Sequence, residues 1–285
     1  MEKLDFIGRK YSEKETKDAE KRFRKGEKKL ESRIPKLEEK KSKEEIEIIN
    51  KAFENINEFL KKYEIDYVLD IPLDKIHFLD HNVFVESFKS GEIFGGFLDL
   101  ETNSVYINKG LADTPGKKLM AVTHELIHYI QTKKYYMFSE DPTIYPARAG
   151  YVLDSPRKDR DFNLMGFNEL VTIISTVLST HKKLSNEVMQ KLSTQEQVFF
   201  GWISIIAKTS GEETLTDIQS LIKKLLRGQF EDNLLSLKSL LRVYGEDLFR
   251  ILDLFYKTLQ DGSPTGLDKL KEITNYLLVK KKTKQ

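Results

Sequence analysis

Two histidines in this chain have the spacing with which a helix can present two ligands to one zinc ion, and a glutamate follows the first of them. Residues His124 to His128 read H-E-L-I-H, an H-E-x-x-H pattern. Positions i and i+4 of an α-helix lie one turn apart on the same face, so both imidazoles can reach one metal ion. Glu125 would then stand beside the metal. The chemistry that this arrangement would serve is metal-assisted hydrolysis.

The helix that must carry these residues has a clear predicted start. Thr114 is a suitable N-cap, and Pro115 at the first helical position has a backbone angle that is already helical. Both histidines project from nearly the opposite side to an apolar stripe with a period of 3.6, formed by Leu119, Val122, Thr123, Leu126, Ile127 and Ile130. The alternative, a surface helix with two solvated histidines, leaves the glutamate between them unexplained.

A small sheet is predicted upstream of this helix. Residues 94–100 and 104–108 are rich in strand formers and are separated by the turn residues 101–103, which predicts a hairpin. Residues 67–71 and 75–79 offer one or two further strands, broken apart by a proline. The apolar packing of the hairpin is expected to fall to Phe97, Val105 and Ile107.

Glu169 is the predicted third metal ligand. It opens a second helical run that begins near Gly166 and continues to about His181, and it shares a polar face with Thr172, Thr176 and Thr180. A glutamate in a first helical turn is also stabilised by the helix dipole without any metal, so that alternative stays open. Two histidines and one glutamate would leave the fourth zinc position open for water, as catalysis requires.

H-E-L-I-H followed by Asn168-Glu169 at a helix start resembles the gluzincin clan of zinc metallopeptidases. The resemblance covers about residues 65 to 182 and implies an α+β fold with a zincin-like core, a small mixed sheet plus the active-site helix, between predominantly helical flanks. Thermolysin-like members have an aspartate four residues after the ligand glutamate, where this chain has Ile173, so no narrower family is assigned. A metzincin would continue from His128 to a glycine and a third histidine, which residues 129–138 lack.

The resemblance also implies a mechanism. Zinc held by His124, His128 and Glu169 would activate a water molecule, and Glu125 would act as the general base and pass the proton to the departing amine. A later tyrosine or histidine would stabilise the oxyanion. The candidates are Tyr145 and Tyr151, followed by Tyr135, Tyr136 and His181.

Residues 134–165 lie between the two metal-binding helices and lack sustained periodicity, which predicts a wall or lid of the cleft. Arg148 in this stretch is either a substrate contact or a solvated side chain. His77 and His81 are also four residues apart, but they fall on a predicted strand and turn, so a structural or exposed role is expected for them.

Composition narrows the possible functions. The absence of cysteine excludes disulfides, thiolate zinc sites and cysteine catalysis. The residues at the N-terminus have no apolar leader and no run of 18 apolar residues occurs, which predicts a cytoplasmic protein without a membrane anchor. A net charge of +2 from 47 basic and 45 acidic residues argues against nucleic-acid binding. The expected partner, a peptide or protein substrate, is implied by the resemblance to the metallopeptidases.

Three segments are predicted: a charged and amphipathic helical segment over 1–64, a zincin-like catalytic core over 65–182, and a helical region over 183–285. The predicted function is a zinc-dependent metallopeptidase. Two alternatives remain open: a catalytically vestigial zinc protein that binds a partner, and a toxin-like protease with one protein target.

Overall fold

The fold of this protein, given by a computed structural model, is mixed α+β and mostly helical, with small sheets. The structure describes residues 11–31, 40–88, 95–100, 102–137, 144–153, 163–181, 190, 194–209, 215–260, 271–276 and 279. No helix in these ranges combines the length and the apolarity that crossing a bilayer requires.

The chain forms two compact units. The first consists of residues 1–57 and 68–149, and the second of residues 58–67 and 150–285. This division differs from the predicted boundaries at 64/65 and 182/183. Residues 58–67 group with the C-terminal part of the chain, and that part begins at residue 150.

The N-terminal segment, predicted to be helical, contains two helices in its described residues. They are α1 (Glu13–Glu31) and α2 (Lys43–Lys62), whose last turn belongs to the second unit. Each begins with a capping box. The Glu15 carboxylate accepts from the backbone N–H of Ser12 at 2.8 Å, and that of Glu45 accepts from Ser42 at 2.7 Å. Helix α2 buries an apolar face that includes Ile49, Ala52, Ile56 and Leu60.

A three-stranded sheet forms the centre of the first unit. Its strands are β1 (Ile76–Leu79), β2 (Gly96–Asp99) and β3 (Ser104–Asn108), in the order β1-β3-β2. Strands β2 and β3 form the predicted antiparallel hairpin, whereas β1 is parallel to β3. The short helix α3 (His81–Ser87) follows β1.

Of the two candidate strands before the hairpin, the second contains β1, whereas residues 67–71 are not a strand. There the Leu69 N–H donates to Oδ1 of Asn57 at 2.8 Å instead of to a neighbouring strand. The prediction for Phe97 is wrong. Phe97 does not share the packing of Val105 and Ile107. It pairs with Tyr106 in the register, which puts it on the other face of the sheet, and it is 41% exposed.

Helix α4 (Pro115–Ile130) packs on β2 and β3. Beyond it, β4 (Lys133–Met137) pairs antiparallel with β5 (Ile144–Ala149), so part of the predicted aperiodic wall is sheet. The pairing shifts register between Lys134 and Tyr135, and the next partner is Pro146. A proline and a bulge both disturb the alternation of apolar and polar residues, so these strands are not recognisable from that alternation.

The regular elements in the described residues of the second unit are helices and the short strand β6 (Val152–Leu153). Its helices are α5 (Met165–Thr180), α6 (Thr194–Thr209), α7 (Leu215–Phe230), α8 (Leu235–Tyr244) and α9 (Asp247–Gln260), and residues 271–276 are also helical. Helix α7 continues through Gly228 to Phe230. A β-carbon at Gly228 would overlap the hydroxyl of Tyr151, so this glycine gives room to a tyrosine rather than ending the helix.

Candidate metal centre

Helix α4 presents His124 and His128 as the sequence predicts. Thr114 is its N-cap and accepts from the Lys117 N–H at 3.3 Å, with Pro115 in the first helical position. The predicted apolar stripe is buried at Val122, Thr123, Leu126, Ile127 and Ile130. Both histidines are half-buried on the remaining face.

The two imidazole rings approach each other through their Nε2 atoms. The Nε2 atoms of His124 and His128 lie 3.1 Å apart. Two nitrogens bound to one tetrahedral zinc at 2.0–2.1 Å would be separated by about 3.3 Å. The spacing of the two rings therefore fits a shared metal ion.

Glu125 projects from α4 toward strand β2 and is buried, with 6% of its surface exposed. A β-carbon placed on Gly96 would lie 2.7 Å from Glu125 Cγ and 2.9 Å from Oε1. Gly96 thus leaves the space that this carboxylate occupies. Gly96 is not among the predicted site residues, although a glycine inside a strand is a known signal of close approach by a neighbouring group.

Gln131 is a second residue that the sequence analysis missed. It is the C-cap of α4, and its side-chain amide nitrogen lies 3.1 Å from Nδ1 of His128. Its position three residues after the second histidine was the available signal, since i and i+3 are neighbours on a helix.

Glu169 lies on α5, which begins one residue before the predicted Gly166. It is the fifth residue of the helix, so it stands in the second turn rather than in the predicted first turn. The helix dipole acts mainly on the first turn, which weakens the alternative that Glu169 serves only to stabilise the helix end.

The start of α5 is fixed by Asp253 of α9. Its Oδ2 accepts from the backbone N–H groups of Asn163 at 2.7 Å and Leu164 at 2.9 Å, and its Oδ1 accepts from Gly166 at 2.7 Å. The residue before the helix, Leu164, has a left-handed conformation with φ of 63°. Burial raises the pKa of Asp253, and the three N–H groups oppose this effect without cancelling it.

A polar network surrounds the residue before Glu169. The Asn168 Oδ1 accepts from the Tyr151 N–H at 2.9 Å and from Gln229 Nε2 at 3.2 Å. Gln229 also donates to Thr172 Oγ1 at 3.0 Å. Thr172, predicted to share the polar face of Glu169, therefore accepts through its hydroxyl from α7. Gln229 was not foreseen, because nothing local marks a partner 61 residues away.

The structure brings the three predicted ligands together. One ligand atom from each of His124, His128 and Glu169 lies within 4.8 Å of the others, and this group could hold a metal ion. All three side chains are half-buried. A set of two imidazoles and one carboxylate suits zinc and other first-row transition metals.

The predicted oxyanion donors have different surroundings. Tyr151 is fully buried in the second unit, where its hydroxyl donates to the Leu225 carbonyl at 2.7 Å and its ring packs against Phe167. An oxyanion role would require Tyr151 to give up the hydrogen bond. The backbone of Tyr145 lies in β5, paired with Tyr136, but both side chains fall outside the described part of the chain.

Other candidates are placed as follows. Tyr135 is buried on β4, and His181 is the half-buried C-cap of α5. Arg148 is buried with 6% of its surface exposed, so the expectation that it is solvated is wrong.

Of the second pair of histidines, His77 lies on β1 as predicted, whereas His81, predicted to lie in a turn, is the first residue of helix α3. His77 is buried and stacks on Tyr106 with a centroid distance of 4.9 Å. His81 Nδ1 lies 3.3 Å from Asn108 Oδ1. These contacts give both residues structural roles in the first unit.

Comparisons of the chain with family models, with curated proteins and with solved structures each found no match. The choice among functions therefore depends on the residues and geometry described above.

Proposed function

We propose that this chain is a zinc-dependent peptidase with a zincin-like core of the gluzincin type. The observation that carries this proposal is the grouping of ligand atoms from His124, His128 and Glu169 within 4.8 Å of one another. These three ligands leave a fourth position for solvent or substrate, which distinguishes catalytic zinc sites from structural ones.

Glu125 supplies the proton transfers. Zinc bound to the three ligands would polarise a peptide carbonyl and lower the pKa of a water molecule. The carboxylate of Glu125 takes a proton as the water oxygen forms its bond to the carbonyl carbon. It returns that proton to the amine nitrogen as the carbon–nitrogen bond breaks. A site that only stored metal would have no use for a carboxylate beside the open coordination position.

A peptide substrate is favoured by the edge of the sheet beside Glu125. Strand β3 is central in the order β1-β3-β2, so β2 has an edge with which no described strand pairs. An extended peptide can add to such an edge through main-chain hydrogen bonds. Because Gly96 of β2 is in close contact with Glu125, a chain bound there would run past the proposed base.

The test combines zinc content with hydrolysis of a mixed peptide library read by mass spectrometry. We expect one zinc per chain in the parent and in Glu125→Gln, with hydrolysis reduced about 10²–10⁴-fold only in the variant. Glu47→Gln, which makes the same change at an exposed position of α2, is the control. Equal cleavage by Glu125→Gln would disprove the role of the base.

The third ligand needs a separate variant. We expect Glu169→Ala to weaken zinc binding by more than about 100-fold, because loss of outer-shell partners alone costs 10–100-fold. Competition with a chromophoric chelator measures this change. Unchanged zinc affinity would show that Glu169 is not a ligand.

A further inference from the structure

Gln131 contacts His128 through both its backbone and its side chain. Its backbone N–H donates to the His128 carbonyl at 3.3 Å as α4 ends, and its amide nitrogen lies 3.1 Å from Nδ1 of the imidazole. Only 3% of Gln131 is exposed. The buried side-chain amide of Gln131 is therefore held against the imidazole ring of one proposed ligand.

The ring nitrogen that faces the metal determines where the proton of His128 must be. Nε2 of His128 is the atom that approaches Nε2 of His124, so Nε2 is the metal-directed atom. A neutral imidazole that binds metal through Nε2 carries its proton on Nδ1 and donates it to an outer-shell acceptor. Gln131 is the group that lies at Nδ1.

A carboxamide can meet Nδ1 in two ways. With its nitrogen forward, it donates to Nδ1, and the proton of the imidazole is then on Nε2, where it opposes metal binding. A half-turn of the amide brings the oxygen forward, which accepts from Nδ1–H and leaves Nε2 free to bind. The orientation of the amide and the occupancy of the metal site are therefore linked.

We propose that Gln131 is a positioning residue for His128, whose amide oxygen accepts the Nδ1 proton and selects the tautomer that binds metal. This inference rests on the proposed zinc site. It adds a residue outside the H-E-x-x-H motif that sets the strength of metal binding. The contact fixes the orientation of the ring and makes Nε2 a better donor.

Zinc affinity, measured by chelator competition, tests the proposal in three variants. We expect Gln131→Met, which keeps the length of the side chain without an acceptor, to bind zinc about 10–100-fold more weakly. Gln131→Asn, whose amide is one bond shorter, should also bind more weakly. Gln131→Glu, which can only accept from Nδ1–H at neutral pH, should bind at least as tightly as the parent. Gln219→Met on the exposed face of α7 is the matched control.

A second readout separates this inference from the proposed function. In metal-free protein the imidazole ¹⁵N shifts of His128 report which nitrogen carries the proton. We expect the proton on Nδ1 in Gln131→Glu and on Nε2 in Gln131→Met. Parent-like zinc affinity in Gln131→Met, or the same tautomer in both variants, would overturn the role of Gln131. A parent that binds no zinc would overturn the proposed function, and the tautomers would still decide this inference.

Discussion

Gly96 and Glu125 are in such close contact that a single methyl group between them would displace the carboxylate. A β-carbon on Gly96 would lie 2.7 Å from Glu125 Cγ, well inside van der Waals contact. The flexible glutamate would have to move, whereas the two histidines on the same helix point elsewhere. A substitution at Gly96 should therefore move the proposed base without moving the proposed histidine ligands.

We therefore expect Gly96→Ala to lower the rate of peptide hydrolysis by about 100-fold, since a displacement of about 1 Å at a reacting group can cost that much. Zinc content should be unchanged. Gly95→Ala is the control, because its β-carbon would meet Ala121 Cβ at 3.8 Å, an ordinary contact. Hydrolysis at the parent rate by Gly96→Ala would show that the position of Glu125 does not matter.

Tyr151→Phe distinguishes a packing role from an oxyanion role. The variant loses the hydrogen bond to the Leu225 carbonyl, so we expect the free energy of unfolding to fall by about 1 kcal/mol with no change in the rate of hydrolysis. Tyr276→Phe, which removes a similar bond to the Tyr244 carbonyl, is the matched control. Denaturant unfolding and kcat are the measurements. A large loss of kcat in Tyr151→Phe alone would restore its assignment as the oxyanion donor.

The carboxyl group of Asp253 predicts a dependence of stability on pH. Because its pKa is raised by folding, it contributes stability that is fully present below the ordinary value of 3.8 and is lost as pH rises through the folded value. Asp253→Asn cannot titrate. We expect the unfolding free energy of the parent, relative to this variant, to fall as pH rises from below 3.8 through the raised pKa of the folded protein.

Metal-free protein in chelator, unfolded with urea at a series of pH values, gives this comparison without interference from zinc binding. A difference that grows as pH rises would mean that the three backbone donors outweigh burial and that the pKa of Asp253 is lowered. A constant difference would mean that folding does not change this pKa.

The elements that carry the ligands could be predicted because their signals are local. Helix α4 has an N-cap, a proline at its first position and a continuous apolar stripe, and α5 has an apolar face of similar length. The spacing of His124 and His128 then follows from helix geometry. The hairpin of β2 and β3 was also accessible, since its strand formers are separated by turn residues.

What surrounds the ligands depends on contacts between distant parts of the chain. Asp253 caps α5 across 87 to 90 residues, and Gln229 reaches Asn168 across 61. Neither contact leaves a periodic trace in the sequence. The face occupied by Phe97 depended on the register with β3, and a shift of one residue exchanges the two faces of a strand.

The most direct test of the central claim is an anomalous difference map at the zinc absorption edge from crystals grown with zinc. We predict a single strong peak at about 2.0–2.2 Å from Nε2 of His124, Nε2 of His128 and a carboxylate oxygen of Glu169. A zinc peak elsewhere, or a peak bound by the histidines with Glu169 turned away, would contradict it.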